Sequence, residues 1–396
     1  MDRHYIDTAL TKLQEKIQAI SNRLDILVHI NQAIALKHDR AAYIYDRPHG
    51  QEYKELVDGR DIDRYLLDFH NTYLKYDLSA IHSCKREDIF LTQEKLLFRR
   101  VGASLVVCYD DKQHYALNTL VVINAKRKKV NLKFLLTLLN SRLLNWYFFT
   151  FLKSTKEVFS EIQARQMAEL PIPRISFVTP EVKTKRLVEE AKNYYKTYLE
   201  AGKPDTILYF IESRLMKEYR PDPELVKKHN ADHLNKDFQI PEGALWEQSD
   251  VVHNILAFLA EQMIEMNKEK QSEIKGFLGW LESQLKIEPD TKGNKGIDAL
   301  VGKSQIKNYP GDYQKGEGHL SFEDFWKILE KNKGRIQANL KSRELYENIK
   351  SEFEKSLSKL LPLKEKLRQT DWLIDKIVYK LYGLTEEEIK IVEGHS

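Results

Sequence analysis

With 396 residues, 42% of them hydrophobic and 31% charged, the chain has enough apolar mass for two or three domains with cores of their own, which excludes a disordered or fibrous polymer. Its two cysteines, Cys84 and Cys108, cannot build a disulfide framework, and no CxxC or Cys/His cluster points to zinc, so no metal ligand is assigned. The net charge of +4 hides a partition: residues 81–174 hold sixteen Lys and Arg against eight Asp and Glu, leaving the remainder net acidic. That pattern fits a polyanion-binding module on a neutral scaffold, or ordinary uneven surface charge.

The opening "MDRHYIDTAL" lacks a basic region followed by an apolar one, so no secretory signal is expected and a cytoplasmic location is the default. Ile6, Leu10, Leu13, Ile17, Ile20, Leu24 and Leu27 recur at alternating steps of four and three, which predicts one coiled-coil-like helix over residues 1–38. Over residues 39–178, "AAYIYD", "DIFLTQEKLLFRR", "ASLVVCYDD" and "YALNTLVVINAK" predict strands of a small mixed sheet. The most apolar run, "NLKFLLTLLNSRLLNWYFFTFL" at 131–152, is long enough for a bilayer, but Lys133, Asn140, Arg142 and Asn145 interrupt it. It is read as a core helix covering that sheet, with no membrane contact, and "ELPIPRI" then stops regular structure. Residues 179–286 are predicted helical, 287–319 form a Gly-rich linker holding six of the sixteen glycines, and 320–396 are helical again. In the last segment Thr385 and Glu388 form a capping box. The expected fold class is α+β, a sheet domain followed by a largely helical, partly coiled-coil region.

The sequence contains no GxxxxGK[ST] loop, GxGxxG turn, GxSxG elbow or HExxH pair. No Pro-Asp pair is followed at the right distance by an Asp/Glu-x-Lys, and no Asn-Pro-Pro-Tyr tetrad for holding a flipped base is present. No catalytic residue is assigned.

What remains is an order of blocks. The basic "EKLLFRR" leads to "ASLVVCYDD", a "YALN" turn and the strand "TLVVINA". Then come "KRKK", the helix with "LLNSRLLNWYF", a "KSTKEVF" loop and "ELPIP". This succession resembles the TaqI-like target-recognition domain at the C-terminal end of type II restriction-modification methyltransferases, to which type I specificity subunits carry a related domain. Upstream, "ELVDGRDIDRYLLDF" is similar to the segment before that family's first core strands. "TDWLIDKIVYKLYGLTEEEIKIVE" is similar to the closing helices of combined restriction-methylation enzymes, so the resemblance covers about residues 50–176 and 368–393 in scattered blocks. It implies a prokaryotic, non-catalytic reader of double-stranded DNA that positions a methyltransferase, an endonuclease or both. S-adenosylmethionine would then enter only through the partner. A C-terminal fragment of a larger type IIG enzyme and a coiled-coil scaffold that binds no DNA are the alternatives.

Lys and Arg bring affinity through phosphates, and bidentate side chains read base edges. The candidates are Lys95, Arg99 and Arg100, then Lys126, Arg127, Lys128 and Lys129, then Lys153, Ser154 and Lys156. On a strand Arg99 and Arg100 point to opposite faces, so at most one meets DNA and the other is left for an ion pair. The 126–129 run is a solvated turn or a phosphate clamp, and the 153–156 loop is a phosphate site or a helix cap.

Overall fold

The computed structural model describes residues 3–37, 40–153, 161–215, 223–232 and 248–394. The chain divides into two compact units, Met1–Ile264 with Trp372–Ser396, and Glu265–Asp371. The first unit is α+β. Its central sheet is antiparallel throughout, in the order Val107–Asp110, Lys95–Arg99, Leu120–Ala125, Val28–Gln32. Beside it lies a smaller sheet of Tyr115–Ala116, Tyr53–Val57, Tyr73–Lys75 and Ile44–Tyr45. The central sheet is covered on both faces. Leu97, Cys108, Leu120 and Val122 enter a core shared with the smaller sheet. Leu96, Phe98, Val121 and Ile123 are equally buried on the other face, where the Leu132–Asn140 helix contacts the Lys95–Arg99 and Val107–Asp110 strands. Burial on both faces explains why these strands read as continuous apolar runs instead of alternating ones.

The apolar run is a composite, not one helix. Leu132–Asn140 ends at Ser141, whose hydroxyl accepts from Leu144 N–H and so caps the following Arg142–Tyr147 helix. A π-helical turn, Phe148–Leu152, completes it. Two of the polar residues that argued against a membrane span satisfy the backbone of the sheet's edge strand and of the segment leading into it. The Asn140 amide accepts from Val107 N–H at 3.1 Å and donates to Val107 C=O at 2.9 Å. Asn145 Oδ1 accepts from Leu105 N–H at 2.7 Å. Among the described residues, no helix is long and apolar enough to cross a membrane.

The N-terminal segment departs from expectation. Its helix, Arg3–Ala19, stops well short of residue 38, and the seam pattern continues into other structure. Ser21–Arg23 is a strand paired with Pro171–Pro173, and Val28–Gln32 belongs to the central sheet, so the sheet domain begins before residue 39. The helix end is fixed from outside: Arg174 donates from its backbone to Ile20 C=O at 2.9 Å and from its guanidinium to Ala19 C=O, satisfying carbonyls that a helix terminus leaves open. The "PIP" segment likewise continues regular structure. Leu24 N–H bonds Leu170 C=O and Arg174 N–H bonds Ile20 C=O, so the even-numbered residues face the partner strand. Both prolines then turn their missing N–H toward the free edge. Leu13 and Ile17 are buried within the chain, and their helix contacts the Ser21–Arg23 and Pro171–Pro173 strands. Lys16 pairs with Glu388 at 2.6 Å, and Gln18 donates to Tyr147 Oη at 3.0 Å.

The second unit corrects the expectation of a linker. Residues 287–319 carry Ile297, Ile306 and Tyr309 into an aromatic core with Phe277, Phe322, Phe325 and Phe353. Tyr309 Oη lies 2.6 Å from Ser356 Oγ. Gly311, at φ 73°, is required because a Cβ there would strike Gly318 C=O. The glycines mark turns within a packed fold.

Replacing Leu13 by Ala should destabilise the isolated chain by about 2–5 kcal/mol, the usual range for a buried Leu truncation. Urea unfolding of the purified chain measures this. A wild-type midpoint would show that the Arg3–Ala19 helix does not pack on the sheet domain.

Candidate nucleic-acid interface

The candidate residues separate into buried and exposed sets. Lys95 is corrected: it is fully buried, its Nζ 2.7 Å from Asp110 Oδ2 and donating at 2.9 Å to Phe90 C=O. Strand alternation cannot tell which face of a sheet is covered, and here both are. Asp110 also accepts from His114, Nδ1 to Oδ1 at 2.9 Å and backbone N–H to Oδ2 at 3.0 Å. Burial by itself would raise the Asp110 pKa. The His114 hydrogen bond and the Lys95 charge outweigh it and hold the carboxyl below its usual range. Burial pushes the Lys95 ammonium down, opposed in part by Asp110. The pair is a structural element of the core.

Arg99 and Arg100 are also engaged by their own chain. Arg99 Nη2 donates to Ile62 C=O. Arg100 donates to Asn118 C=O at 2.8 Å and pairs with Glu161. Lys153 Nζ lies 4.7 Å from the centroid of the Phe149 ring, and Ser154 and Lys156 lie outside the described residues.

Lys126, Arg127, Lys128 and Lys129 are all exposed. They form the turn between the Leu120–Ala125 strand and the Leu132–Asn140 helix. Lys126 is tied down through its N–H to Leu27 C=O at 3.0 Å and its Nζ to Asp25 C=O. Asn131 caps the helix, accepting from Lys133 N–H at 2.9 Å and Phe134 N–H at 3.1 Å. Cations just before a helix N-terminus oppose the helix dipole, and the first turn contains no acidic residue. Stability alone disfavours this placement; an approaching anion relieves it.

Sequence reasoning missed what lies beneath the turn. A cavity of about 330 Å³ is lined by Lys128 and Lys129, by Phe134 and Ile172, and by Phe177 and His253. Phe177 is held between anchored neighbours: Ser176 N–H bonds Ser249 Oγ at 3.0 Å, and Val178 N–H bonds Asp250 Oδ2 at 3.0 Å. Asp250 also accepts from the Thr179 N–H at 2.7 Å and hydroxyl at 2.8 Å. The only sequence signal was a lone His in the apolar run "VVHNILAFLA". Among the described residues, no group of three or more His, Cys, Asp or Glu is placed to hold a metal ion.

Residues 54–172 match the family model of the TaqI-like C-terminal specificity domain. The match takes in the Lys95–Asp110 pair, the basic turn and the composite helix, and it leaves out the N-terminal helix and everything after Ile172. No curated protein matches the chain.

Replacing Lys95 by Met leaves Asp110 charged in the core, and should cost about 3–5 kcal/mol at pH 7. Because the Asp110 pKa is depressed in the folded state, its contribution is complete above the ordinary carboxylate pKa and is lost as pH falls through the depressed value. In Lys95→Met the charge that helps hold this carboxyl down is gone and burial pushes it up, so the variant regains stability by taking up a proton as pH falls, and the penalty should shrink at acid pH. Urea unfolding of both proteins at pH 7 and pH 4 tests this; an equal penalty at both would show that the pair carries no charge linkage.

Proposed function

We propose that this chain, in which residues 54–172 form a TaqI-like C-terminal specificity domain, reads a sequence in double-stranded DNA and positions a methyltransferase, an endonuclease or both on it. The match supports the coarser part of this reading, a specificity role in a restriction-modification system. Catalysis is assigned to a partner chain or to the remainder of a longer enzyme, and S-adenosylmethionine to the methyltransferase.

The observation that carries the reading is the basic turn. Four consecutive cations stand exposed inside the specificity domain, at the positive end of a helix, on a loop anchored from both sides. They suit phosphates, which fix a protein's register on the duplex without reading sequence. Lys95 and Arg99 are withdrawn as direct contacts, since leaving their present partners would strand buried polar groups, and Arg100 is engaged by the Asn118 carbonyl and Glu161.

Binding to a random-sequence duplex should weaken steeply with salt, each neutralised phosphate contributing about −0.9 to the log–log slope. Replacing Lys126, Arg127, Lys128 and Lys129 together by Ala should flatten that slope by about 3–4. Any sequence preference selected from a randomised duplex pool should persist. Fluorescence anisotropy across a salt series measures the slope, and an unchanged slope would remove the turn from the interface.

A further inference from the structure

We propose that the cavity beneath the basic turn is a nucleotide site for cytosine or adenine: the base lies against Phe177 and His253, its exocyclic amine donates to His253 Nε2, and its phosphate rests on Lys128 and Lys129. The inference deepens the DNA-binding reading and rests on it in one respect, that the turn meets phosphates.

Three observations converge on this chemistry. The first is the wall. The His253 ring centroid is 4.3 Å from that of Phe134 and 5.1 Å from that of Phe177, and Phe177 is 42% exposed although its neighbours are pinned. A large aromatic ring held half in solvent at the edge of a cavity is a stacking surface for a planar group. The second is the rim. Lys128 and Lys129 line the same cavity and are exposed, so an apolar body with an anionic end fits where a purely apolar one would leave the cations unused.

The third observation sets the base. His253 is 5% exposed, and its Nδ1 lies 2.8 Å from Asn254 Oδ1. An amide oxygen only accepts, so Nδ1 carries the proton and Nε2 is left as an acceptor. Among the described residues Nε2 has no hydrogen-bond partner. Burial pushes the imidazole down to about 4, so it remains neutral at physiological pH. An acceptor on a residue that lines the cavity is matched by an N–H or O–H donor on the occupant. With the phosphate at the rim, the far tip of a pyrimidine is the group at C4, an amine in cytosine and a carbonyl in uracil or thymine; adenine likewise presents an amine at its far edge. A second cavity of about 760 Å³ shares Lys128, Lys129, Phe177 and His253, but its lining is mixed in charge, Lys133 and Lys228 standing with Glu94, Glu181 and Glu261, whereas no acidic residue lines the first.

The nucleotide has two possible sources, free in solution or unstacked from bound DNA. Isothermal titration with CMP, AMP and UMP tests the first. Pyrrolocytosine fluorescence in a bound duplex, which rises on unstacking, tests the second. CMP binding tighter than UMP binding, and weakened about tenfold by Phe177→Ala, supports the site. A fluorescence rise that Phe177→Ala abolishes supports it with DNA as the source. His253→Phe should remove the preference for CMP over UMP; Phe177→Ala keeps the test open if that variant does not fold. Equal affinity for CMP and UMP overturns the assignment of the base. No nucleotide binding and no fluorescence change, with steep salt-dependent duplex binding retained, overturns the site and leaves the DNA reading standing. Loss of duplex binding as well overturns both.

Discussion

The first unit depends on how the outer edge of its central sheet is closed. Val107–Asp110 is an edge strand, and an unpaired edge offers open N–H and C=O groups to any passing strand. The Asn140 amide occupies that edge at Val107, taking its N–H and giving to its C=O. Tyr65 N–H adds a second donor to the same carbonyl at 3.0 Å, and Arg64 Nη2 donates to Asn140 C=O at 2.8 Å. One buried amide thereby joins a strand, a helix and the 64–65 turn. Because Asn140 is the last residue of its helix, its seat on the strand places the other end of that helix, and with it Asn131 and the basic turn.

Charge is sorted by the same architecture. Lys95 and Asp110 occupy facing positions on adjacent strands, on the face that packs against the smaller sheet. There an ammonium survives burial only with a carboxylate and a carbonyl around it. Over the four residues that directly follow the neighbouring Leu120–Ala125 strand no such enclosure exists, and the cations stand in solvent. Residue type alone made these two groups look alike. Position in the sheet makes one a core element and the other the surface that a polyanion can reach.

The second unit shows how glycine content misleads when it is taken as flexibility. Its 287–319 segment bends at Gly302, Gly311 and Gly316, all at positive φ, yet between those bends it delivers Ile306 and Tyr309 to an aromatic core. The chain enters this unit within the Ser249–Leu285 helix and leaves it within the Arg343–Leu381 helix.

The α+β class, the sheet strands from "EKLLFRR" to "TLVVINA", the covering apolar helix and the Thr385–Glu388 capping box were determined by the sequence itself. Each rests on local periodicity or on a contact between residues three or four apart. The same local rules extended the N-terminal helix too far. The seam pattern cannot register that Arg174, some 150 positions away, claims the carbonyls at Ala19 and Ile20, nor that Leu120–Ala125 offers Val28–Gln32 a ladder. Only the tertiary structure decided which face of Lys95–Arg99 is covered, and hence which basic residues reach solvent. It alone brought Phe177 and His253, from segments with no sequence relation, beneath the 126–129 turn. Burial and hydrogen-bond completion between distant segments are properties of the whole packed chain, and no window of neighbouring residues encodes them.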